Sequence, residues 1–372
     1  MKTTKKGAFN KFASFLLIAV LLICIVGFAA SGWQSTQSIE PDSGENGDLA
    51  DKTDENTDGN NSSEGAPTDG ENQNTPQYQI YINTLTGVEI TEQESITKPL
   101  GFVVDSSSPL YGISSSDITI EFPIENGTTR LLSYTTKTSA LWKIGSLAPT
   151  RKYISGMSNF FGGAVVSYGN DDLFTYTGAE TSRFDVDISK FQDLYFKENS
   201  KLIYTGKNMV DSAISRSEIE EISLYKSAPY NFATDVTVVG TTSAKSVILP
   251  YQNSKTSLYY SDKTNKYLYY KDDTSKVDML NGQVISFENV FILFANATTY
   301  EQSCGTQTVI DTLGGGSGYY INGGTKTEFN WRVTDSGELI FTSLNGEKLT
   351  VNPGNSYIAY YKASCASKVL VS

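Results

Sequence analysis

Nineteen residues, Phe12 to Ala30, pass without a charged side chain, and residues 34–77 behind them are almost entirely Ser, Asn, Gly, Asp, Glu, Thr, Gln and Pro. These two blocks withdraw the start of the chain from any globular core and leave the fold to residues 78–372. A helix of nineteen residues at about 1.5 Å per residue rises roughly 28 Å, close to the ~30 Å of bilayer hydrocarbon. Lys2, Lys5, Lys6 and Lys11 precede the run and no acid appears before Glu40. Positive charge holds the short N-terminal side in the cytoplasm, so everything after Trp33 is expected outside. Three fates fit the segment. It can stay as a single-pass anchor, be cleaved within the small residues of Phe28–Gly32, or carry a lipid on Cys24. Its length exceeds the ~7–15 residues of a signal-peptide core, which favours retention. Bulky Ile23 immediately before Cys24 argues against lipidation. All three fates put the body outside the cell membrane.

Residues 34–77 hold eleven acids against Lys52, a net −10. Such a segment cannot bury enough apolar surface to offset chain entropy, so it is expected to be a disordered linker. Its r.m.s. reach is roughly 35–40 Å, and like charge extends it further. A spacer that lifts the body off the membrane and an unselective solubilising linker predict the same sequence. The chain carries −12 in all; removing the +4 of the N-terminal lysines and the −10 of the linker leaves −6 for the body. With no Lys/Arg block there, nucleic-acid binding lacks its electrostatic footprint. Histidine is absent, which excludes Ser-His-Asp and Cys-His nucleophile systems, His-ligated zinc and a histidine pH switch. No metal or other cofactor is expected. Cys304 and Cys365 follow strand-like runs, and both a disulfide and two unpaired structural thiols fit the sequence.

The body is long for one typical core, so two domains are expected, 78–220 and 232–364. The fold class is α+β: an N-terminal mixed α/β domain, then a mostly antiparallel β-rich one. β-Branched and aromatic runs predict strands at Leu100–Val104, Asp117–Phe122, Arg130–Thr135 and Ala164–Tyr168. Helices are expected at Arg151–Phe160, Ser189–Leu194 and Gly206–Arg216. After the connector 217–232, short strands separated by Gly/Asn/Asp turns dominate, among them Asp235–Val239, Ser246–Pro250, Ser257–Ser261, Tyr267–Lys271, Val290–Ala295, Val309–Thr312 and Tyr357–Tyr361. Gly314–Gly318 lacks the Gly-Lys-Ser/Thr of a phosphate loop and reads as a flexible turn. The abundant tyrosines of the second half fit ordinary β-propensity or a sugar- or peptide-binding surface.

Several motifs occur in an order that resembles the YerB-like family of bacterial envelope lipoproteins, a two-part domain of unknown function (DUF3048 N- and C-terminal). Asn83-Thr84-Leu85-Thr86-Gly87 stands where the family has Asn-Pro-Leu-Thr-Gly. Lys98-Pro99 and Gly101–Asp105 resemble its Arg-Pro and following strand, and Gly112-Ile113-Ser114 with Asp117–Glu121 its Gly-Leu/Ile-Ser and Asp-Ile-Val-Tyr-Glu. Glu125-Asn126-Gly127-Thr128-Thr129-Arg130 is similar to Glu-Gly-Gly-Ile-Thr-Arg, Ile144–Arg151 loosely to Ile-Gly-Pro-Val-Arg-Ser-Ala-Arg, and Asn352–Ile358 to Asn-Pro-Gly-Gln-Thr-Trp-Ile. The resemblance spans about Ile82–Ser364. It departs at Gly169–Asp172, where relatives carry Gly-Gly-Ser, and at Ser200–Thr205, which lacks the His and Asn of a Pro-His-Asn-Leu-Tyr segment. It implies an envelope location and a two-part fold, and no reaction.

The charged residues in these motifs are the candidate ligand groups: Asp105, Asp117, Glu121, Glu125, Arg130 and Arg151. Asp117, Thr119 and Glu121 alternate with Ile118, Ile120 and Phe122, so they share one strand face. Two arginines can clamp a carboxylate or phosphate while acids orient hydroxyls or move protons. The structural alternative has Asp105 capping a turn, Asp117 and Glu121 on a solvated face, and Arg130 or Arg151 in a salt bridge. Two functions follow from these features. One is a membrane-anchored binding or scaffold module that meets an envelope polymer or protein partner. The other is a carboxylate-dependent enzyme acting on an envelope glycan.

Overall fold

The computed structural model describes residues 79–169, 184–217, 219, 226, 228–234, 240–302 and 305–372. The apolar segment Phe12–Ala30, the acidic linker, the expected strand Asp235–Val239 and Cys304 lie outside the described residues. Among the described residues no helix is long and apolar enough to cross a membrane.

The protein is β-rich, with few and short helices. Fifteen strands carry the description: β1 Leu100–Asp105, β2 Ile118–Pro123, β3 Thr129–Thr135, β4 Ala164–Ser167, β5 Asp185–Asp187, β6 Ser246–Pro250, β7 Lys255–Ser261, β8 Lys266–Lys271, β9 Asn289–Ala295, β10 Ala297–Gln302, β11 Gly305–Ile310, β12 Gly315–Asn322, β13 Thr325–Val333, β14 Leu339–Thr342 and β15 Ser356–Lys362. The helices are α1 Glu92–Ser95, α2 Lys152–Ser155, α3 Ser158–Phe161 and α4 Lys207–Arg216.

A mixed sheet of eleven strands runs through the body in the order Thr242–Ser243, β13, β12, β9, β15, β2, β3, β1, β4, β5, with β14 also on β13. Its centre is β15, which pairs in parallel with β9 on one side and with β2 on the other. Ser356–Ala359 thereby align with Ile118–Glu121, so the last long strand closes onto the second. The sheet crosses from the first half of the sequence into the second without a break. Parallel pairs buried on both faces require near-continuous apolar runs, and β9 (Asn-Val-Phe-Ile-Leu-Phe-Ala) is buried at every position. A second sheet of six strands, built on β8, β7 and β6 with Leu370–Val371 at one edge, is antiparallel throughout.

Strand alternation sends successive residues of the large sheet into two apolar layers. Phe102, Val104, Leu131, Ile292, Tyr357 and Ala359 pack against Val247, Leu249, Leu258, Tyr267 and Tyr269 of the six-stranded sheet. Val103, Ile120, Phe122, Leu132, Leu293, Ile358 and Tyr360 pack against Ile154, Met157, Phe160 and Phe161. The helix expected over Arg151–Phe160 is therefore two single turns, α2 and α3, that lay their apolar side chains on the sheet. Ser189–Leu194 forms only a 3-10 turn at Ile188–Lys190, capped by the Asp187 carboxylate accepting from Ser189 N. Gly206–Arg216 is helical as α4.

Gly314–Gly318 corrects the expectation of a flexible turn: from Gly315 onward these glycines lie inside β12. A Cβ on Gly318 would sit 2.5 Å from the Ile292 carbonyl oxygen and 2.7 Å from the Phe329 ring. Glycine is used here for close approach of neighbouring backbone and rings.

One half-buried acid, Asp185, lies on the edge strand β5 of the large sheet. Among the described residues, Asp185 Oδ1 and the hydroxyl of its neighbour Tyr134 have no hydrogen-bond partner. Burial, then the charge of Asp187, push the Asp185 carboxyl from 3.8 up to about 7, with Lys190 opposing them. A carboxyl raised in the folded state binds its proton more tightly there than in the unfolded chain. Its contribution to stability is complete below pH ~4 and is lost as pH rises to about 7, a change on the order of a few kcal/mol. Asp185→Asn is expected to flatten this dependence and to raise the denaturation midpoint at pH 8 more than at pH 5. Equal shifts at both pH values would contradict the assignment.

Candidate functional site

The sequence candidates fall into separate settings. Asp105 ends β1 and caps the following turn: Oδ1 accepts from Ser107 N at 2.9 Å and Oδ2 from Ser108 Oγ at 2.7 Å. Asp117 is buried, and its Oδ2 accepts from Thr136 N and Thr136 Oγ1, both at 2.8 Å. Burial raises its pKa, and those hydrogen bonds from Thr136 oppose the rise. Glu125 and Arg151 come together as a forked ion pair, Nη2 to Oε2 at 2.5 Å and Nε to Oε1 at 3.1 Å. Arg151 also donates to Thr150 O at 3.0 Å, and Arg130 to Pro149 O at 2.5 Å, so both arginines brace the 149–151 loop.

Glu121 occupies the layer between the two sheets. Asp117, Thr119 and Glu121 are 2%, 1% and 0% exposed, which overturns the idea of a solvated face. Thr119 and Glu121 share a strand face, and Glu121 is covered from strands more than a hundred residues away, whereas Asp117 lies just before β2 and is met by nearby Thr136. Glu121 Oε1 accepts from Thr129 Oγ1 at 2.5 Å, Thr256 Oγ1 at 2.7 Å and Lys271 Nζ at 3.0 Å, while Oε2 accepts from the Tyr357 hydroxyl. Lys271 Nζ further donates to Thr129 Oγ1 at 2.6 Å and Thr256 Oγ1 at 3.1 Å. Asp105 and Arg130 are cross-strand neighbours, and Arg130 faces Phe122. They belong to the face opposite Glu121, so the six candidates do not converge on one ligand.

Lys271 went unnoticed in the sequence reading. Its signal is the strand spacing that puts Lys271 on one face with Tyr267 and Tyr269, the face that the structure buries. Nothing in the sequence pairs it with an acid 150 residues earlier.

Beside this network lies a cavity of about 660 Å³. One wall is made by Pro123, Ile124, Asn126 and Gly127 at the corner between β2 and β3, and the next is the turn Pro250–Asn253 between β6 and β7. Thr299 of β10, Thr308 of β11 and the segment from Tyr361 to Lys368 complete it. The two walls are tied by backbone. Asn253 N and Ser254 Oγ donate to Gly127 O at 3.1 and 3.0 Å, and Asn253 Nδ2 to Asn126 O at 2.7 Å. The corner needs left-handed backbone at Asn126 (φ 58°) and Gly127 (φ 63°). Asn and Gly are the residues that take that conformation at least cost, and they stand where the resembling family has Gly-Gly.

Tyr251 separates the cavity from the buried ion pair. Its ring lines the cavity and lies 5.0 Å from Lys271 Nζ. Its hydroxyl is buried with no hydrogen-bond partner among the described residues, and burial followed by the nearby Glu121 carboxylate pushes its pKa well up. Tyr361 packs on Tyr251 with ring centroids 5.4 Å apart and donates to Pro250 O at 2.5 Å. Cys365 is on the same wall and forms no disulfide among the described residues; Cys304, with which the sequence allows it either to pair or to stay unpaired, lies outside them. No group of three or more Asp, Glu or Cys among the described residues is placed to hold a metal ion.

These features define a β-rich protein whose residues 247–358 match the family described as protein of unknown function (DUF3048), C-terminal domain. The fold is that of the YerB protein from Bacillus subtilis, whose crystal structure superposes with a TM-score of 0.66 at 20% identity, covering 78% of this chain and 99% of that one. The fold is YerB-like, in line with the resemblance carried by the ordered motifs. It matches no curated protein.

Removing one member of a fully buried ion pair leaves an uncompensated charge, at a cost of ~3–5 kcal/mol. Lys271→Met is expected to lose stability on that scale in chemical denaturation, and adding Glu121→Gln to recover a large part of it. A loss below ~1 kcal/mol for Lys271→Met would show that the pair is not buried as described.

Proposed function

We propose that the chain is a binding module of the bacterial cell envelope, held at the membrane by Phe12–Ala30 and acting on the extracytoplasmic side. The cavity beside Tyr251 is the binding site in this reading, and it is the single observation that carries it. Its volume lies within the range of ~300–1,000 Å³ typical of ligand sites. Amide, hydroxyl and aromatic groups from four separate segments converge on it, the chemistry that recognises a sugar, polyol or peptide segment. The linker supplies reach, roughly 35–40 Å or more beyond the membrane surface.

A carboxylate-dependent enzyme would need Asp105, Glu121, Arg130 and Arg151 to face one substrate. Glu121 is instead consumed by Lys271, two threonines and Tyr357, on the opposite face from Arg130. Binding is therefore the better-supported function.

A membrane-impermeant cross-linker added to intact cells is expected to couple the chain to an envelope component. Thr299→Trp, which fills the cavity from β10, is expected to reduce that coupling several-fold. No coupling, or coupling indifferent to Thr299→Trp, would defeat the proposal.

A further inference from the structure

We infer that the cavity beside Tyr251 is an anion site, and that its ligand is an envelope polymer segment bearing phosphate or carboxylate groups, bound through Lys362 and Lys368. The inference rests on the binding reading above and deepens it by naming the ligand's charge.

The body as a whole is acidic, yet no Asp or Glu occurs among the described residues that line the cavity, while Lys362 and Lys368 both do. Two acids close to the cavity lining are matched to other cations. Glu125, in the corner that forms one wall, is held in the forked pair with Arg151. Glu121, behind Tyr251, is held by Lys271. Lys362 and Lys368 have neither a hydrogen bond nor an ion pair among the described residues, in contrast to Lys143, Lys207, Lys245, Lys255, Lys266 and Lys271.

The two ammonium groups come from different parts of one short segment. Lys362 is the last residue of β15 and half-buried, and Lys368 is the last residue of the 3-10 turn Ala363–Lys368 and exposed. Leu370–Val371 then pairs with β6, anchoring the segment on both sides so that the lysines are presented by fixed backbone. An anion entering this cavity gains charge-assisted hydrogen bonds and meets no lining carboxylate. Gln252 and Thr299, which also line it, carry polar side chains without a side-chain hydrogen bond among the described residues and can bind hydroxyls flanking the charge. A single small anion would use only part of the cavity; a polymer segment with polar groups on either side of its charge uses the whole lining.

The test measures binding of the purified full-length chain by calorimetry to three oligomers: glycerol phosphate, galacturonate and neutral dextran. Wild type is expected to bind one or both charged oligomers and not dextran, with affinity falling as salt rises from 50 to about 300 mM. The preferred charged oligomer tells phosphate from carboxylate as the source of the anion. Lys362→Gln with Lys368→Gln is expected to weaken binding at least tenfold, with an unchanged denaturation midpoint showing that the fold is intact. Equal binding of dextran, or an unchanged affinity in the double variant while Thr299→Trp abolishes binding, would overturn the anion inference and leave the cavity a neutral-ligand site. No binding of any oligomer by wild type would overturn the anion inference. If the cross-linking to an envelope component persists in that case, the binding reading stands without it.

Discussion

The carboxylate of Glu121 has to be satisfied without water, and the way it is satisfied ties the molecule together. It projects from β2 into the layer between the sheets, where an isolated ionised carboxylate would be prohibitive. Its partners are Thr129 from the next strand and Thr256, Lys271 and Tyr357 from the second half of the sequence. The six-stranded sheet can therefore dock on the large sheet in one register only. The same contact puts β15 beside β2, so the hydrogen-bonded sheet joins the first half of the sequence to the second.

The cavity follows from that docking. Where the β2–β3 corner meets the β6–β7 turn, Gly127 lets the two backbones approach closely, and the segment after β15 passes over the opening. Tyr251 then stands between a buried, neutralised ion pair and a cavity whose own lysines have no ion pair among the described residues. Charge is balanced inside the protein and left unbalanced at the cavity wall, an arrangement that favours an incoming anion over a structural role for Lys362 and Lys368.

Much of the local structure was legible in the residues. Ser246–Pro250 and Leu100–Val104 alternate or run apolar as strands do, and the chain folds them as strands. The common face of Thr119 and Glu121 followed from their spacing. Its covering did not, because a single strand cannot say whether its polar face meets water or a second sheet with matching groups. For the same reason Gly314–Gly318 read as a turn: only the carbonyl of Ile292 and the ring of Phe329 show why a strand there excludes side chains. The cavity lysines carried no pattern at all, since their meaning comes from a lining that holds no acid among the described residues.

The central claim is that both sequence halves form one cooperative unit, locked through Glu121 and β15. Native-state hydrogen exchange across β2, β3, β9 and β15 tests it directly. The slowest amides of all four strands should open with the same free energy and the same denaturant dependence. A distinctly lower opening free energy for β9 and β15 than for β2 and β3, or the reverse, would contradict it.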